Sequence, residues 1–303
     1  MQKTLNIWKI TDGKQGHENQ SNGLIAAIGK MCDVEESNVS VSELPNPAMM
    51  FLNWIFRKKP SIFPQNRPDL IIGAGHKTHA AILLAKSFCG GTTVVLMKPS
   101  LPLKRFDIVV VPKHDEVTTR KNTIEINGVL NDVEYVENKD MNNGLLLIGG
   151  ESLHYIWDDK KVIEQIKQIL KRDTNVQWTL TTSRRTPDTF LKLLNEIDVD
   201  VVPFEKTDAQ WMRDKYKNTG QIWVTPDSVS MVYESLSSGA ATYVFALEPS
   251  STESRVRKGL KWLLEDGKVM PFDCWEQDTS SVHMPCRCDE STRVAELILE
   301  HLA

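Results

Sequence analysis

A chain of 303 residues with 36 Lys and Arg against 40 Asp and Glu carries a formal net charge of −4. That excludes a nucleic-acid binder driven by phosphate neutralisation, which needs a concentrated excess of cations on one surface. Hydrophobic residues make up 41% of the chain, enough for two domains with cores of their own. The N-terminus MQKTLNIWKI lacks the apolar core of a secretory signal and no stretch approaches the roughly 20 apolar residues of a membrane span. Five scattered cysteines read as reduced thiols, so a cytoplasmic chain is expected.

Short β-branched runs alternate with helical segments almost from end to end, the pattern of parallel sheets with crossover helices. In the first half, strands are predicted at 5–10, 39–42, 69–72, 92–97 and 107–111, with helices at 21–31, 48–56 and 78–88 and a last short strand or turn within 122–131. The polar, charged segment 131–143 marks a domain boundary. Strands then follow at 145–148, 176–181, 199–202, 222–224 and 242–245, alternating with helices near 158–171, 188–196, 208–216, 228–238 and 253–264. The last segment, 291–301, reads as an amphipathic helix with Val294, Leu297, Ile298 and Leu302 on one face. The expected fold class is α/β: two Rossmann-like domains, 1–135 and 144–285, with parallel sheets facing across a cleft, and a terminal helix, 290–303, returning to the first domain. Ligands of such sheets collect at the carboxyl ends of the strands, so those loops carry the functional reading.

The first is TDGKQGHENQS, where Asp12, Lys14, His17, Glu18, Asn19, Gln20 and Ser21 crowd around Gly13 and Gly16. Glycines allow close backbone approach, and the start of the next helix offers N–H groups to an anion. A neutral His17 there can take a proton from an attacking hydroxyl. Capping accounts for one or two polar residues, not seven. The second is DLIIGAGHKTHAAILLAK: Gly73 and Gly75 give half of a dinucleotide fingerprint, but Thr78 replaces the third glycine and no acidic residue ends the next strand. His76, Lys77 and His79 open a helix, where cations are disfavoured unless an anion is present; they meet an anionic ligand or are solvated, and His76, directly after the glycine turn, is the stronger candidate.

The third pair of loops is LLLIGGESLHYIW, with Gly149 and Gly150 ending a strand, and TTSRRTP, where Arg184 and Arg185 beside Ser183 suit an anionic group by permanent charge and bidentate donors. The fourth is VTPDSVSMVYESLSSG. Thr225, Asp227, Ser228 and Ser230 supply hydroxyls and an N-cap at a helix start, a neutral cradle for a diphosphate, and Glu234 further along can accept two ribose hydroxyls. Cys274, His283, Cys286 and Cys288 have a Cys-x-Cys spacing tighter than zinc sites use and no second pair, so they read as thiols in a loop. Neither a metal nor a cofactor is expected.

WKITDGKQGHENQSNGL, TTSRRTP and TPDSVSMVYES together resemble signature segments of the mitochondrial-fission Elm (elongated mitochondria) family, over nearly the whole chain. That family is similar to GT-B glycosyltransferases of the MurG type. The resemblance sets Gly13 to His17 on a glycine-rich loop ending in histidine, PDLIIGAGHK on a second glycine turn, and Ser228 to Gly239 on a donor-site helix with Glu234 at the ribose-binding glutamate. Two departures stand out: Gly239 is followed by Ala240, Ala241 and Thr242 rather than proline, and Lys14 and Gln15 are bulky where the transferases have small residues.

The resemblance implies a UDP-sugar or related nucleotide-sugar in the second domain, without a metal, and an acceptor against the first. Arg184, Arg185 and the helix start at Ser228 hold the departing diphosphate, Glu234 the ribose, and His17 or His76 deprotonates the acceptor. The acceptor itself is unknown; an acceptor at a membrane surface, with the chain cytoplasmic and peripheral to the inner membrane face, is one expectation. Two other functions fit the same family: nucleotide-sugar epimerisation, and a non-catalytic adaptor that recruits a partner, as plant relatives recruit a fission dynamin.

Overall fold

The computed structural model describes residues 4–44, 49, 55–56, 59–113, 120–250, 254–278, 283 and 288–302. The helix expected over 48–56 lies, apart from Met49, Ile55 and Phe56, outside them, as does Cys286. The chain divides into two units: Met1–Asp132 with Glu290–Ala303, and Val133–Asp289.

The first unit runs β1 (Leu5–Thr11), α1 (Gln15–Gly29), β2 (Val34–Ser40), β3 (Leu70–Ala74), α2 (His79–Cys89), β4 (Thr92–Leu96), β5 (Ile108–Pro112) and β6 (Thr123–Ile126), and takes in the terminal helix Glu290–Leu302. Its strands form one parallel sheet in the order β2-β1-β3-β4-β5-β6. LIIGA and IVVVP are apolar throughout because both faces of the sheet are covered. Ile7, Leu70, Ile72, Val94 and Val110 pack against Leu24 and Ile28 of α1 and Val294, Ala295 and Ile298 of the terminal helix. Trp8, Ile71, Val95 and Val109 pack on the opposite face with Ala81, Ile82 and Ala85 of α2.

The second unit runs β7 (Asn143–Leu147), β8 (Tyr155–Ile156), α3 (Asp159–Arg172), β9 (Gln177–Thr181), α4 (Asp188–Leu194), β10 (Asp200–Val202), α5 (Ala209–Asn218), β11 (Gln221–Val224), α6 (Val229–Ser237), β12 (Ala241–Val244), β13 (Glu248–Pro249), α7 (Arg255–Glu265), β14 (Met270–Pro271) and α8 (Phe272–Gln277). Six strands make a parallel sheet in the order β10-β9-β7-β11-β12-β14, while β8 and β13 pair as a short antiparallel ribbon. One core gathers Leu146, Leu180, Trp223, Tyr243 and Phe245 of the sheet with Val162, Ile166 and Ile169 of α3, Phe190 of α4, and Phe272 and Trp275 of α8.

Four expectations are corrected. Helix α1 starts at Gln15, six residues before Ser21, so His17 to Ser21 lie on a helix and not in a loop. Its first turns are polar although Gln20 and Ser21 are buried, and the apolar period that marks a helix begins only at Leu24. Strand β2 covers Val34–Ser40, ahead of 39–42; as an edge strand paired on one side it can be as polar as VEESNVS. On the terminal helix Leu297 is 38% exposed and Ala295 takes its place in the core. The short β14 and α8, MP followed by FDCWEQ, have no predicted counterpart.

Candidate functional site

In the first sheet β1 lies between β2 and β3, and its crossovers leave in opposite directions on either side. A crevice opens at the carboxyl ends of the two strands where the winding reverses, here β1 and β3. The turns that follow them are Asp12 to Lys14 and Gly75 to Thr78. The Lys14 and Gly13 N–H groups donate to Asp12 Oδ1 and Thr11 Oγ1 at 3.3 and 3.0 Å. His17, in the first turn of α1, sets Nδ1 2.9 Å from Asp12 Oδ1. Burial pushes the Asp12 carboxyl up, but the bonds from His17 and the Lys14 backbone outweigh it and hold it below its ordinary value. An ionised carboxylate only accepts, so His17 donates to Asp12 from Nδ1 and Nε2 is directed away from that bond. Asp12 Oδ2 is buried without a hydrogen-bond partner.

The second turn completes this arrangement. Gly75 has φ +85°, and a Cβ there would stand 2.2 Å from His17 Cε1, so glycine is required both by the backbone and by the imidazole lying on it. Thr78 Oγ1 closes the turn on the Gly75 carbonyl at 2.8 Å. His76 is exposed, and His79 is buried, with Nδ1 3.0 Å from Ser100 Oγ and its ring against Phe106. Burial lowers the His79 pKa, with His76 adding to the effect. Of the other loop residues, Glu18 reaches the buried Lys9 at 3.4 Å, which also meets Glu36 and Asn22. Asn19 accepts from Gln15, Gln20 donates to the Gly16 carbonyl, and Lys14 is exposed at the helix start.

The second sheet reverses its winding between β7 and β11. Three loops meet there. The Gly149 N–H donates to Thr225 Oγ1 at 2.8 Å and the Gly150 N–H to Asp227 Oδ2 at 3.1 Å. Ser183 and Thr186 donate their hydroxyls to the Gly149 carbonyl at 2.7 and 2.5 Å. Gly149 admits no side chain, since a Cβ would lie 2.1 Å from Asp227 Oδ2. Arg185 Nη2 sits 2.8 Å from Asp227 Oδ2, and its Nη1 donates to the Glu151 carbonyl at 3.0 Å.

Gly149, Gly150, Ser183, Arg185 and Thr225, all singled out from sequence, thus converge, but mostly on one another. The ion pair with the buried Asp227 occupies Arg185; sequence reasoning read Asp227 only as part of a helix cap and left out Thr186. Thr186 stands inside TTSRRTP, and Asp227 passed as an ordinary cap. Ser228 is the residue before α6, yet its hydroxyl makes no capping bond; α5 and α7 by contrast are capped by Asp208 and Ser254. Arg184 is exposed and lies over the Phe204 ring at 4.9 Å, and Ser230 is exposed in the first turn of α6. Glu234 is well down that helix, where Oε2 accepts from the buried Tyr216 hydroxyl at 2.9 Å. Next to this cluster a cavity of about 560 Å³ opens at the carboxyl ends of β11, β12 and β14, from Pro226 across to α7. Among the described residues no group of three His, Cys, Asp or Glu converges as a metal site would require, and His283 Nε2 meets the Lys268 carbonyl.

The whole chain is similar in fold to Acinetobacter baumannii MurG, with TM-score 0.55 at 12% identity over 98% of this chain and 99% of that one. It is similar also to the UDP-GlcNAc 2-epimerase from Neisseria meningitidis bound to UDP-GlcNAc, with TM-score 0.52 at 11% identity over 99% of both chains. The calicheamicin glycosyltransferase CalG4 gives TM-score 0.51 at 12% identity over 99% and 98%. The fold is that of the GT-B glycosyltransferases and the related epimerases. Residues 15–302 match the family described as Mitochondrial fission ELM1, and the chain belongs to it. A relative in Rickettsia prowazekii (strain Madrid E), the uncharacterized protein RP120, is 25% identical over 296 residues, 80% of this chain and 83% of that protein. No helix among the described residues is long and apolar enough to cross a membrane.

Proposed function

We propose that this chain binds a nucleoside-diphosphate sugar at the carboxyl edge of its second sheet and transfers the sugar to an acceptor hydroxyl. The observation that carries the reading is the start of α6, which opens at the β7/β11 reversal without a side-chain cap. Backbone N–H groups at such a start favour a diphosphate, and the charge that grows on it as the glycosidic bond breaks is met by these dipoles and the Arg184 guanidinium, so the scheme needs no metal. Arg185 serves this site indirectly by neutralising Asp227. His17 takes a proton at Nε2 from an acceptor hydroxyl held at the first sheet, and Asp12 holds its ring and balances the imidazolium that results. Glu234 is the ribose ligand.

Calorimetric titration with UDP and UDP-sugars tests this. Arg184→Ala and Glu234→Gln, the latter chosen so that Tyr216 keeps an acceptor, should each weaken UDP by about tenfold, in line with charge-assisted bonds. Unchanged affinity in both variants removes these residues from the site. The family to which the chain belongs favours a second reading, a non-catalytic adaptor that keeps the fold. It predicts no heat with any nucleotide. A third, epimerisation, predicts isomerised sugar without transfer.

A further inference from the structure

The cavity beside the Asp227 cluster has a composition that a neutral sugar does not call for. Val244, Phe245, Leu247, Leu260 and Phe272 give it apolar walls, while Arg257, Lys258 and Lys261 bring three cations against the single acid Asp273 among its described lining residues. This happens in a chain whose net charge is −4. Neutral hydroxyls need acceptors as well as donors, and the cationic side chains only donate.

The three cations share one helix, α7, and one stripe of it with Leu260 and Leu264, so they face the same space. Arg257 and Lys258 also stand at the start of α7, whose first turn holds no acid. The helix dipole disfavours cations at that end and favours an anion there. Arg257 Nη1 donates to the Ser250 carbonyl at 2.7 Å, which fixes the guanidinium at the cavity rim. Among the described residues Lys261 meets Glu265 at 3.7 Å, both side chains exposed.

The geometry points to a sugar with its own negative charge: the cavity takes the glycosyl part of a nucleotide-linked uronic acid, its carboxylate against Arg257, Lys258 and Lys261 and its ring on the apolar wall. This rests on the nucleotide-sugar reading above and names the class of sugar within it. The diphosphate stays at the start of α6, next to Pro226 at the cavity's edge, so the two anionic groups of the ligand meet separate cations.

The test is titration of the full chain with UDP, UDP-glucose and UDP-glucuronate, which separate the nucleotide from the sugar and the neutral sugar from the acidic one. UDP-glucuronate should bind about tenfold tighter than UDP-glucose, as expected for several partly exposed charge pairs acting together. In the double variant Lys258→Gln/Lys261→Gln, at two exposed positions, the preference should shrink to about twofold while UDP keeps its affinity. Equal binding of the two sugars by the wild type overturns the uronate assignment and leaves the nucleotide-sugar reading standing. A preference that survives the double variant overturns the role given to α7. No binding of UDP or either sugar overturns the underlying reading and this assignment together.

Discussion

The imidazole of His17 lies flat in the space where Gly75 would carry a side chain, while its Nδ1 is held 2.9 Å from Asp12 Oδ1. Two turns from different strands therefore fix one ring. Gly75→Ala should cost about 2–3 kcal/mol, from a left-handed backbone that disfavours a Cβ and from displacement of His17. In a His17→Ala background the same change should cost only the backbone share, about 1 kcal/mol. Urea denaturation of the four proteins closes the cycle, and strictly additive costs would show that the ring and the glycine do not interact.

The neighbouring arginines of TTSRRTP have different work, and stability separates them. Arg185 meets Oδ2 of a fully shielded Asp227 carboxylate whose Oδ1 has no hydrogen-bond partner among the described residues, whereas Arg184 lies exposed over Phe204. Removing the partly exposed Arg185 leaves the shielded Asp227 carboxylate without its cation, so Arg185→Ala should destabilise by about 1–2 kcal/mol. Arg184→Ala should cost about 0.5 kcal/mol, the value of an exposed cation on an aromatic ring. Comparable losses in thermal unfolding would contradict this division.

How much of this was legible follows from which residues report on what. Runs such as LIIGA and IVVVP announced buried parallel strands because both faces of each are covered; close backbone approach, expected at Gly13 and Gly16, is absent there among the described residues and is realised instead at Gly75 and Gly149, against His17 and Asp227. The start of α1 was hidden because the six residues from Gln15 to Gln20, five of them polar and one glycine, make no apolar period. The bonding inside the second site was hidden for another reason. Thr225, Ser183 and Asp227 are short polar residues that serve equally to bind a ligand or to tie loops together, and only the distances show that they tie Gly149 and Gly150 in place. Glu234 likewise gives no hint in sequence of Tyr216, eighteen positions earlier.

The terminal helix offers a direct check on its facing. Ile298 is fully buried among Val294, Ala295 and the sheet, while its neighbour Leu297 is 38% exposed. Ile298→Ala should cost about 3 kcal/mol through lost burial and the cavity left behind. Leu297→Ala should stay within about 1 kcal/mol, because most of what it loses was never removed from water. The reverse order in denaturant midpoints would mean that the helix is rotated by one position.

Lys139 supplies a prediction whose sign is fixed by its surroundings. Its Nζ donates to the Tyr216 carbonyl, and burial lowers its pKa from 10.5 to about 8. Between those values the unfolded chain holds a proton that the folded protein has released, so stability rises with pH across that window. Below about pH 8 both states are protonated and the full penalty of a buried charge applies; above 10.5 both are neutral and it vanishes. Lys139→Met carries no such charge, so its stability relative to wild type should be greatest near pH 7 and fall by about 1–2 kcal/mol by pH 10.5, a figure reduced for the partial exposure of the side chain. The loss of the bond to Tyr216 shifts the variant by a constant amount and does not alter the slope. Urea unfolding of both proteins at half-unit steps from pH 6 to 10.5 reads the difference directly. A difference that stays level across the window would show that Lys139 is charged in the folded protein and lies closer to solvent than its contact with Tyr216 implies.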